Sequence, residues 1–278
     1  MVKLKDFRKS AIEQLQINGN DSPSADVDCI LQSLGFSKSH IIIGETELSE
    51  AQYEQCTAML SRLMSGEPVQ YIVGGCEFMS LWFKVNSATL IPRCDTEILV
   101  EQIIEKTGEK AVKILDIGTG SGCVAISLAH YLSEATVLSV DISDEALSTA
   151  TENAGINGVS DRCKFRHCDI LTEIPDFPAD IVVSNPPYIP QKDIETLDAK
   201  VKDFEPLSAL IGGEDGLDFY RRISQDIPLN DSGILAFEVG INQAEAVADL
   251  MSKRFEEIEI IKDLSGIDRV VMGKLKKN

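Results

Sequence analysis

The sequence is short of positive charge. Lysine and arginine number 26 against 45 aspartates and glutamates, a net charge of −19 over 278 residues. Nucleic-acid affinity draws heavily on neutralising phosphates with Lys and Arg, and a chain this acidic repels a polyanion as a whole. The basic clusters Lys3-Lys5-Arg8-Lys9 and Lys274-Lys276-Lys277 are short and lie at the ends. No direct nucleic-acid partner is expected. Long apolar runs are also missing. None approaches the roughly 18 residues that would span a bilayer, and Met1 to Arg8 has no apolar segment of a secretory signal. No membrane partner is expected. Histidine is scarce (His40, His130, His167), and none of the seven cysteines forms a Cys-x-x-Cys pair. That leaves no metal-ligand spacing, and no metal is expected. Cys163, His167 and Cys168 are read as a strand with partly buried thiols. Unpaired cysteines without a signal point to a reducing, cytoplasmic location. What is present is ordinary: 44% hydrophobic and 26% charged residues. That composition excludes a wholly disordered or fibrous chain, and the length fits one large domain or two.

The first quarter reads as helix. Leu4, Phe7, Ala11, Ile12 and Leu15 keep helical spacing. Ser22-Pro23 reads as an N-cap followed by proline at the first helical position. Val27, Ile30, Leu31 and Leu34 follow at i, i+3, i+4, i+7, with Gly35 as a stop. Ser49 and Gln52 have capping-box spacing. Tyr53, Cys56, Met59, Leu60 and Leu63 then make an apolar stripe ended by Gly66 and Pro68. Residues 1–68 are read as a small helical domain. In residues 69–92, Tyr71-Ile72-Val73, Gly74-Gly75 and Phe78 through Val85 give a hairpin pattern, read as a connector.

From residue 93 strands and helices alternate. Strands are expected at Val112–Leu115, Val137–Val140, Lys164–Arg166, Ile181–Ser184, Ile234–Glu238, Glu257–Ile261 and Arg269–Met272. Helices are expected at Ser121–Leu132, Glu145–Asn153 and Ala244–Phe255. The alternation implies an α/β domain over 93–278, a mostly parallel sheet covered on both faces.

The first of these strands runs into Asp116-Ile117-Gly118-Thr119-Gly120-Ser121-Gly122, and a helix follows at once. Glycines at alternate positions let the backbone turn sharply and approach a ligand, at the carboxyl end of a strand, where open α/β sheets bind ligands. The spacing is neither the Gly-x-Gly-x-x-Gly of dinucleotide folds nor a Gly-Lys-Ser/Thr phosphate loop. Asp116 would repel a pyrophosphate but suits a cationic amino-acid group. The ligand that combines a nucleoside with such a group is S-adenosylmethionine. Asp141 ends the second strand, 25 residues after Asp116. It can accept hydrogen bonds from both ribose hydroxyls; the other reading is an N-cap, a task open to Ser143 or Asp144 as well. Cys168-Asp169-Ile170 falls where an adenine would lie, with Asp169 toward its amine and Ile170 over the ring; the other reading is a plain turn.

The fourth strand runs into Asn185-Pro186-Pro187-Tyr188. Prolines at a strand end cannot continue a ladder, and they fix φ. The turn therefore holds an amide and an aromatic ring rigidly at the same sheet edge as the glycine loop. Such a group suits methylation of a planar nitrogen. An amide nitrogen is a poor nucleophile because its lone pair is delocalised. Acceptors aimed at its N–H groups favour pyramidalisation and turn the lone pair toward the methyl. The Asn185 side-chain oxygen and the Pro186 carbonyl are such acceptors, and Tyr188 can pack on the planar group.

The Gly118–Gly122 loop, Asp141 and Asn185-Pro186-Pro187-Tyr188 resemble the S-adenosylmethionine-dependent amino-methyltransferases. Leu90-Ile91-Pro92-Arg93-Cys94-Asp95-Thr96-Glu97, Phe204-Glu205-Pro206, Gly212-Gly213-Glu214-Asp215-Gly216-Leu217 and Gly75-Cys76-Glu77-Phe78 narrow the resemblance. Together they are similar to the peptide chain release factor glutamine methyltransferases (the HemK/PrmC family), over nearly the whole chain. The resemblance implies a Rossmann-like methyltransferase sheet with helices on both faces, preceded by a small helical N-terminal domain for substrate recognition and a β-hairpin connector. It implies S-adenosyl-L-methionine as cofactor, contacted by Gly118, Thr119, Gly120, Ser121, Gly122, Asp141, Asp169, Ile170 and Asn185. The substrate would be the glutamine of the Gly-Gly-Gln tip of class 1 release factors. Asn185 and Pro186 would orient it, Tyr188 would pack against it, and Pro187 would complete the substrate-binding turn. One departure is Cys94, where the family usually has proline, which leaves the role of Arg93 open. Three other readings stand: a ribosomal-protein glutamine methyltransferase, a DNA or RNA amino-methyltransferase, which would need a basic groove, and a nucleoside sensor without activity.

Overall fold

The computed structural model describes residues 2–108 and 110–277. The chain forms two compact units, Met1–Gly75 with Ala199–Phe204, and Cys76–Asp198 with Glu205–Asn278.

The first unit is helical. Strand β1 (Val2–Lys3) leads into α1 (Leu4–Ile17), then α2 (Pro23–Ser33), α3 (Lys38–Ile43), β2 (Glu47–Leu48), α4 (Glu50–Met64) and α5 (Val69–Val73). The two short strands pair antiparallel, Val2 opposite Leu48. Leu4, Phe7, Ala11 and Leu15 of α1 are buried with Val27, Ile30 and Leu31 of α2 and Cys56, Leu60 and Leu63 of α4. The capping box is present: Ser49 and Gln52 bond each other's backbone N–H. Ser22 stands at the N-cap position, but its side chain makes no cap bond. The segment Val69–Val73, read as part of a hairpin, is helical. Its apolar run is too short for periodicity to separate helix from strand. Pro68 precedes the first turn and Gly74, left-handed at φ 79°, ends it. The hairpin itself is β3 (Gly75–Phe78) with β4 (Leu81–Lys84).

The second unit carries the large sheet. Its elements are α6 (Cys94–Thr107), β5 (Lys113–Ile117), α7 (Cys123–Tyr131), β6 (Thr136–Asp141), α8 (Asp144–Ile156), β7 (Cys163–His167) and β8 (Ala179–Ser184). After α9 (Ala199–Lys202), which belongs to the first unit, come α10 (Asp218–Asp226), β9 (Leu229–Glu238), α11 (Ala244–Ser252), β10 (Phe255–Lys262) and β11 (Asp268–Leu275). The strand order is β10-β11-β9-β8-β5-β6-β7. Pairing is parallel from β9 through β7, and β11 runs antiparallel between β9 and β10. Apolar clusters cover both faces, one around Leu99, Ile103, Ile126 and Leu128, the other around Tyr220, Ile223, Val247 and Met251. This is the α/β sheet with two covered faces that the alternation implied. The order reverses between β5 and β8, so their carboxyl ends open a crevice at a topological switch point.

Candidate active site

The glycine loop begins where β5 stops. Gly118 and Thr119 donate their N–H groups to the Val140 carbonyl, at 2.9 and 3.1 Å, which ties the loop to the end of β6. Gly122 adopts φ 82°, and a Cβ there would come within 2.8 Å of Ile126 and 3.0 Å of Ala150. Only glycine lets the loop turn into α7 this close to α8.

Asp141 faces the loop. Its Oδ2 accepts the Gly120 N–H at 2.8 Å, and its Oδ1 accepts the Ser143 N–H at 2.9 Å. The N-cap of α8 is Ser143, whose hydroxyl oxygen accepts from Ala146. Asp141 is therefore not needed as the cap. Each carboxylate oxygen retains a second lone pair.

A cavity of about 320 Å³ opens at this edge. Its lining includes Gly118, Gly120, Asp141, Asp169, Ile170, Asn185, Pro186 and Pro187, with apolar Ile142, Leu171 and Phe219. A small annex of about 40 Å³ shares Gly118, Gly120 and Asn185 with it and is lined further by Arg93, Thr96, Asp116, Thr119 and Ser121. Of the sequence-derived site residues, Gly122 and Tyr188 line neither space. Asp169 both faces the cavity and holds a turn: its carboxylate accepts from Leu171 N–H and Thr172 hydroxyl. The two readings of that segment coexist.

Asp116 is buried in the annex wall, 2% exposed. Burial pushes its carboxyl up to about 7; the Thr119 hydroxyl opposes the rise and the Asp141 charge adds to it. Asp116 Oδ2, Thr119 Oγ1 and Ser121 Oγ find no hydrogen-bond partner among the described residues. Buried polar atoms without partners carry a desolvation cost. Their grouping around one small space suits a ligand that brings cationic N–H donors. An apolar pocket, a carboxylate at its rim and an acceptor-rich annex together fit the adenine, ribose and amino-acid parts of S-adenosylmethionine.

Glycines also hold the Asn-Pro-Pro-Tyr turn. A Cβ on Gly212 would lie 2.6 Å from the Pro187 carbonyl oxygen, and one on Gly216 would meet the Tyr188 carbonyl. The Gly212–Gly216 run thus has a packing reason that sequence alone did not supply. Gln243 Nε2 donates to the Tyr188 carbonyl at 2.9 Å. The Tyr188 ring lies against Gly240, and burial pushes its phenol up to about 12. A phenol that far above neutrality is not a base at pH 7.

Three contributors were given no settled role by the sequence reading. Arg93 forms an ion pair with Glu205, whose side chain is buried. This gives Arg93 a place independent of the residue at 94. Thr96, buried in the first turn of α6, accepts a hydrogen bond from Asn185 Nδ2 at 3.2 Å. Glu238, at the end of β9, is 2% exposed. Burial pushes its carboxyl up to about 7; the polar groups of Thr96 and Asn185 and the positive charge of Arg269 oppose the rise, while Asp95 adds to it. A strand-end glutamate in a run of hydrophobics was the one available signal.

Comparison with known proteins is consistent over nearly the whole chain. Residues 6–74 match the family model described as PrmC N-terminal domain, and residues 93–202 match Methyltransferase small domain. A release factor glutamine methyltransferase of Bacillus cereus is 36% identical, the match covering 96% of this chain and 98% of that one. One from Geobacter sulfurreducens is 40% identical over 87% of this chain and 86% of its own length. The chain belongs to the release factor glutamine methyltransferase family. Among solved structures, the hMettl16 catalytic domain in complex with the MAT2A 3'UTR hairpin 6 has a TM-score of 0.58 at 13% identity, covering 85% of this chain and 87% of that one. A Pyrococcus furiosus methyltransferase has a TM-score of 0.52 at 14% identity, with 80% and 98% covered. Both share the methyltransferase fold seen here. Among the described residues of this family member, no helix is long and apolar enough to cross a membrane.

Proposed function

We propose that this chain methylates the side-chain amide nitrogen of the glutamine in the Gly-Gly-Gln motif of class 1 peptide chain release factors, with S-adenosyl-L-methionine as donor. The observation that carries the reading is that Asn185, Pro186 and Pro187 line the same cavity as Gly118, Gly120 and Asp141, in a chain of this family. Gly118–Gly122, Asp141, Asp169, Ile170 and Asn185 would hold the cofactor, with Asp116 toward its amino-acid end. When bound, the cofactor supplies an electrophilic methyl group on a sulfonium.

The protein's own task is orientation. The Asn185 Oδ1 and the Pro186 carbonyl accept the two N–H groups of the substrate amide. This weakens conjugation with the amide carbonyl and turns the nitrogen lone pair toward the methyl. The interaction strengthens as positive charge grows on the nitrogen, so it favours the transition state over the ground state. No strong base is required, because the nitrogen becomes acidic once it carries that charge. Tyr188, neutral at pH 7, has its ring against Gly240 and keeps the turn in place. Residues 1–68 bind the body of the factor, since a glutamine side chain alone offers little to recognise.

The test is radiolabelled methyl transfer to purified intact release factors, ribosomal proteins and DNA, followed by peptide mass mapping. Label on the Gly-Gly-Gln glutamine supports the proposal. Label confined to a ribosomal protein or to DNA rejects it.

A further inference from the structure

Asn185 works as an acceptor only if its amide faces the right way. The side chain has an oxygen at one end and NH₂ at the other, and a flip exchanges them. In this structure Nδ2 points at Thr96 Oγ1, 3.2 Å away. Thr96 alone does not decide that orientation, because a hydroxyl both donates and accepts. Glu238 supplies the missing asymmetry. Ser184 and Phe237 are paired in register on β8 and β9, so Asn185 and Glu238 leave adjacent parallel strand ends side by side. Glu238 is almost fully buried, and its Oε2 has no hydrogen-bond partner among the described residues. Burial raises the Glu238 carboxyl to about 7, so above that pH, where methyl transfer is to be measured, it is ionised, and an ionised carboxylate accepts and never donates. Thr96 lowers the Glu238 carboxyl against the effect of burial, which places its hydroxyl hydrogen toward that carboxylate; the Thr96 oxygen then accepts, and only the NH₂ end of Asn185 can donate to it. Arg269 provides the compensating positive charge. It sits on β11, where Val270 is registered against Glu238, and it is bonded to Asp95 at 3.0 Å and Asp263 at 3.2 Å.

We infer that Glu238, acting through Thr96, is a positioning residue that sets the direction of the Asn185 amide and so leaves Oδ1 facing the substrate nitrogen. The inference rests on the reaction proposed above. A glutamine at 238 keeps the shape and removes the asymmetry, since its own NH₂ can donate toward Asn185. Valine at 96 keeps the shape and removes the relay, whereas serine keeps the hydroxyl.

The experiment compares the parent protein, E238Q, T96V and T96S in methyl transfer to an intact release factor. Cofactor dissociation constants by calorimetry and melting temperatures are measured in parallel. E238Q and T96V are expected to lose about tenfold or more in kcat, the weight of a hydrogen bond to a charged group. Cofactor affinity stays near the parent value. T96S is expected to keep kcat within about threefold of the parent, a rescue that a merely structural role for position 96 would not require. A parent protein inactive on the factor rejects the reaction and this inference with it. An active parent with E238Q within about twofold of it, or with T96S as slow as T96V, overturns this inference alone. Should E238Q fail to fold, the T96V and T96S pair decides.

Discussion

The carboxylate of Asp141 accepts the amide hydrogen of Gly120 at 2.8 Å. One side chain thus closes the glycine loop against the neighbouring strand while facing the cavity. Asp141→Ala removes that tie together with the acceptors proposed for the ribose hydroxyls. Charge-assisted hydrogen bonds contribute about 1.5–3 kcal/mol each, so the affinity for S-adenosylmethionine should fall about tenfold or more. Calorimetry giving an unchanged dissociation constant would contradict the assignment.

Asp116 gives the site a pH dependence with a definite sign. Its folded-state pKa is raised from the usual 3.8 to about 7 by burial. Between those values the folded state binds more protons than the unfolded state, so its contribution to stability is largest below about pH 4 and is lost as pH rises toward 7. A cationic ligand favours the ionised form, so cofactor affinity moves the other way. Between about pH 5.5 and 7 it should rise by up to about tenfold per pH unit. Asp116→Asn should flatten this rise, weaken binding at pH 7.5 and raise the melting temperature of the free protein at that pH. An affinity that stays level with pH in the parent would remove Asp116 from the cofactor site.

Asn185→Ala should separate binding from turnover. Removing one preorganised group aimed at the reacting centre costs on the order of 10²–10³ in kcat, while the cofactor keeps its other contacts. Single-turnover kinetics at saturating cofactor measure the first and calorimetry the second. Weakened binding with nearly normal turnover would sink the proposed role.

The helical unit should report on the body of the substrate. Ile42 and Ile43 on α3 are 84% and 67% exposed, and a factor seated on this face would bury their apolar side chains. Ile42→Glu with Ile43→Glu should raise KM for an intact release factor by about tenfold, a loss of about 1.4 kcal/mol. The kcat, the cofactor affinity and the melting temperature should stay near parent values. An unchanged KM would place recognition elsewhere.

What the sequence made legible was local. The glycine loop, Asp141 and Asn185-Pro186-Pro187-Tyr188 each carry their chemistry within a few residues at a strand end. The order of strands and helices then brings them to one edge. Glu238 lies 53 positions beyond Asn185 and Thr96 lies 89 before it. Their meeting depends on β9 lying beside β8 and on α6 packing near it. No spacing rule expresses that. Arg93 and Glu205 were both visible in motifs, but their pairing across 112 positions was not. The helix Val69–Val73 was missed for the opposite reason: the local signal was too short to choose between periods, and Pro68 and Gly74 decided it.

In the proposed reaction the Gly-Gly-Gln glutamine of a release factor is the methyl acceptor. Intact release factor is incubated with this protein and S-adenosylmethionine, alongside a factor whose motif glutamine is replaced by alanine, and the tryptic peptides are sequenced by mass spectrometry. One methyl group is expected on the side-chain nitrogen of that glutamine in the parent factor and none in the replaced one. Equal methylation of both factors, or methylation of duplex DNA that falls steeply with salt while the factor stays unmodified, would contradict it.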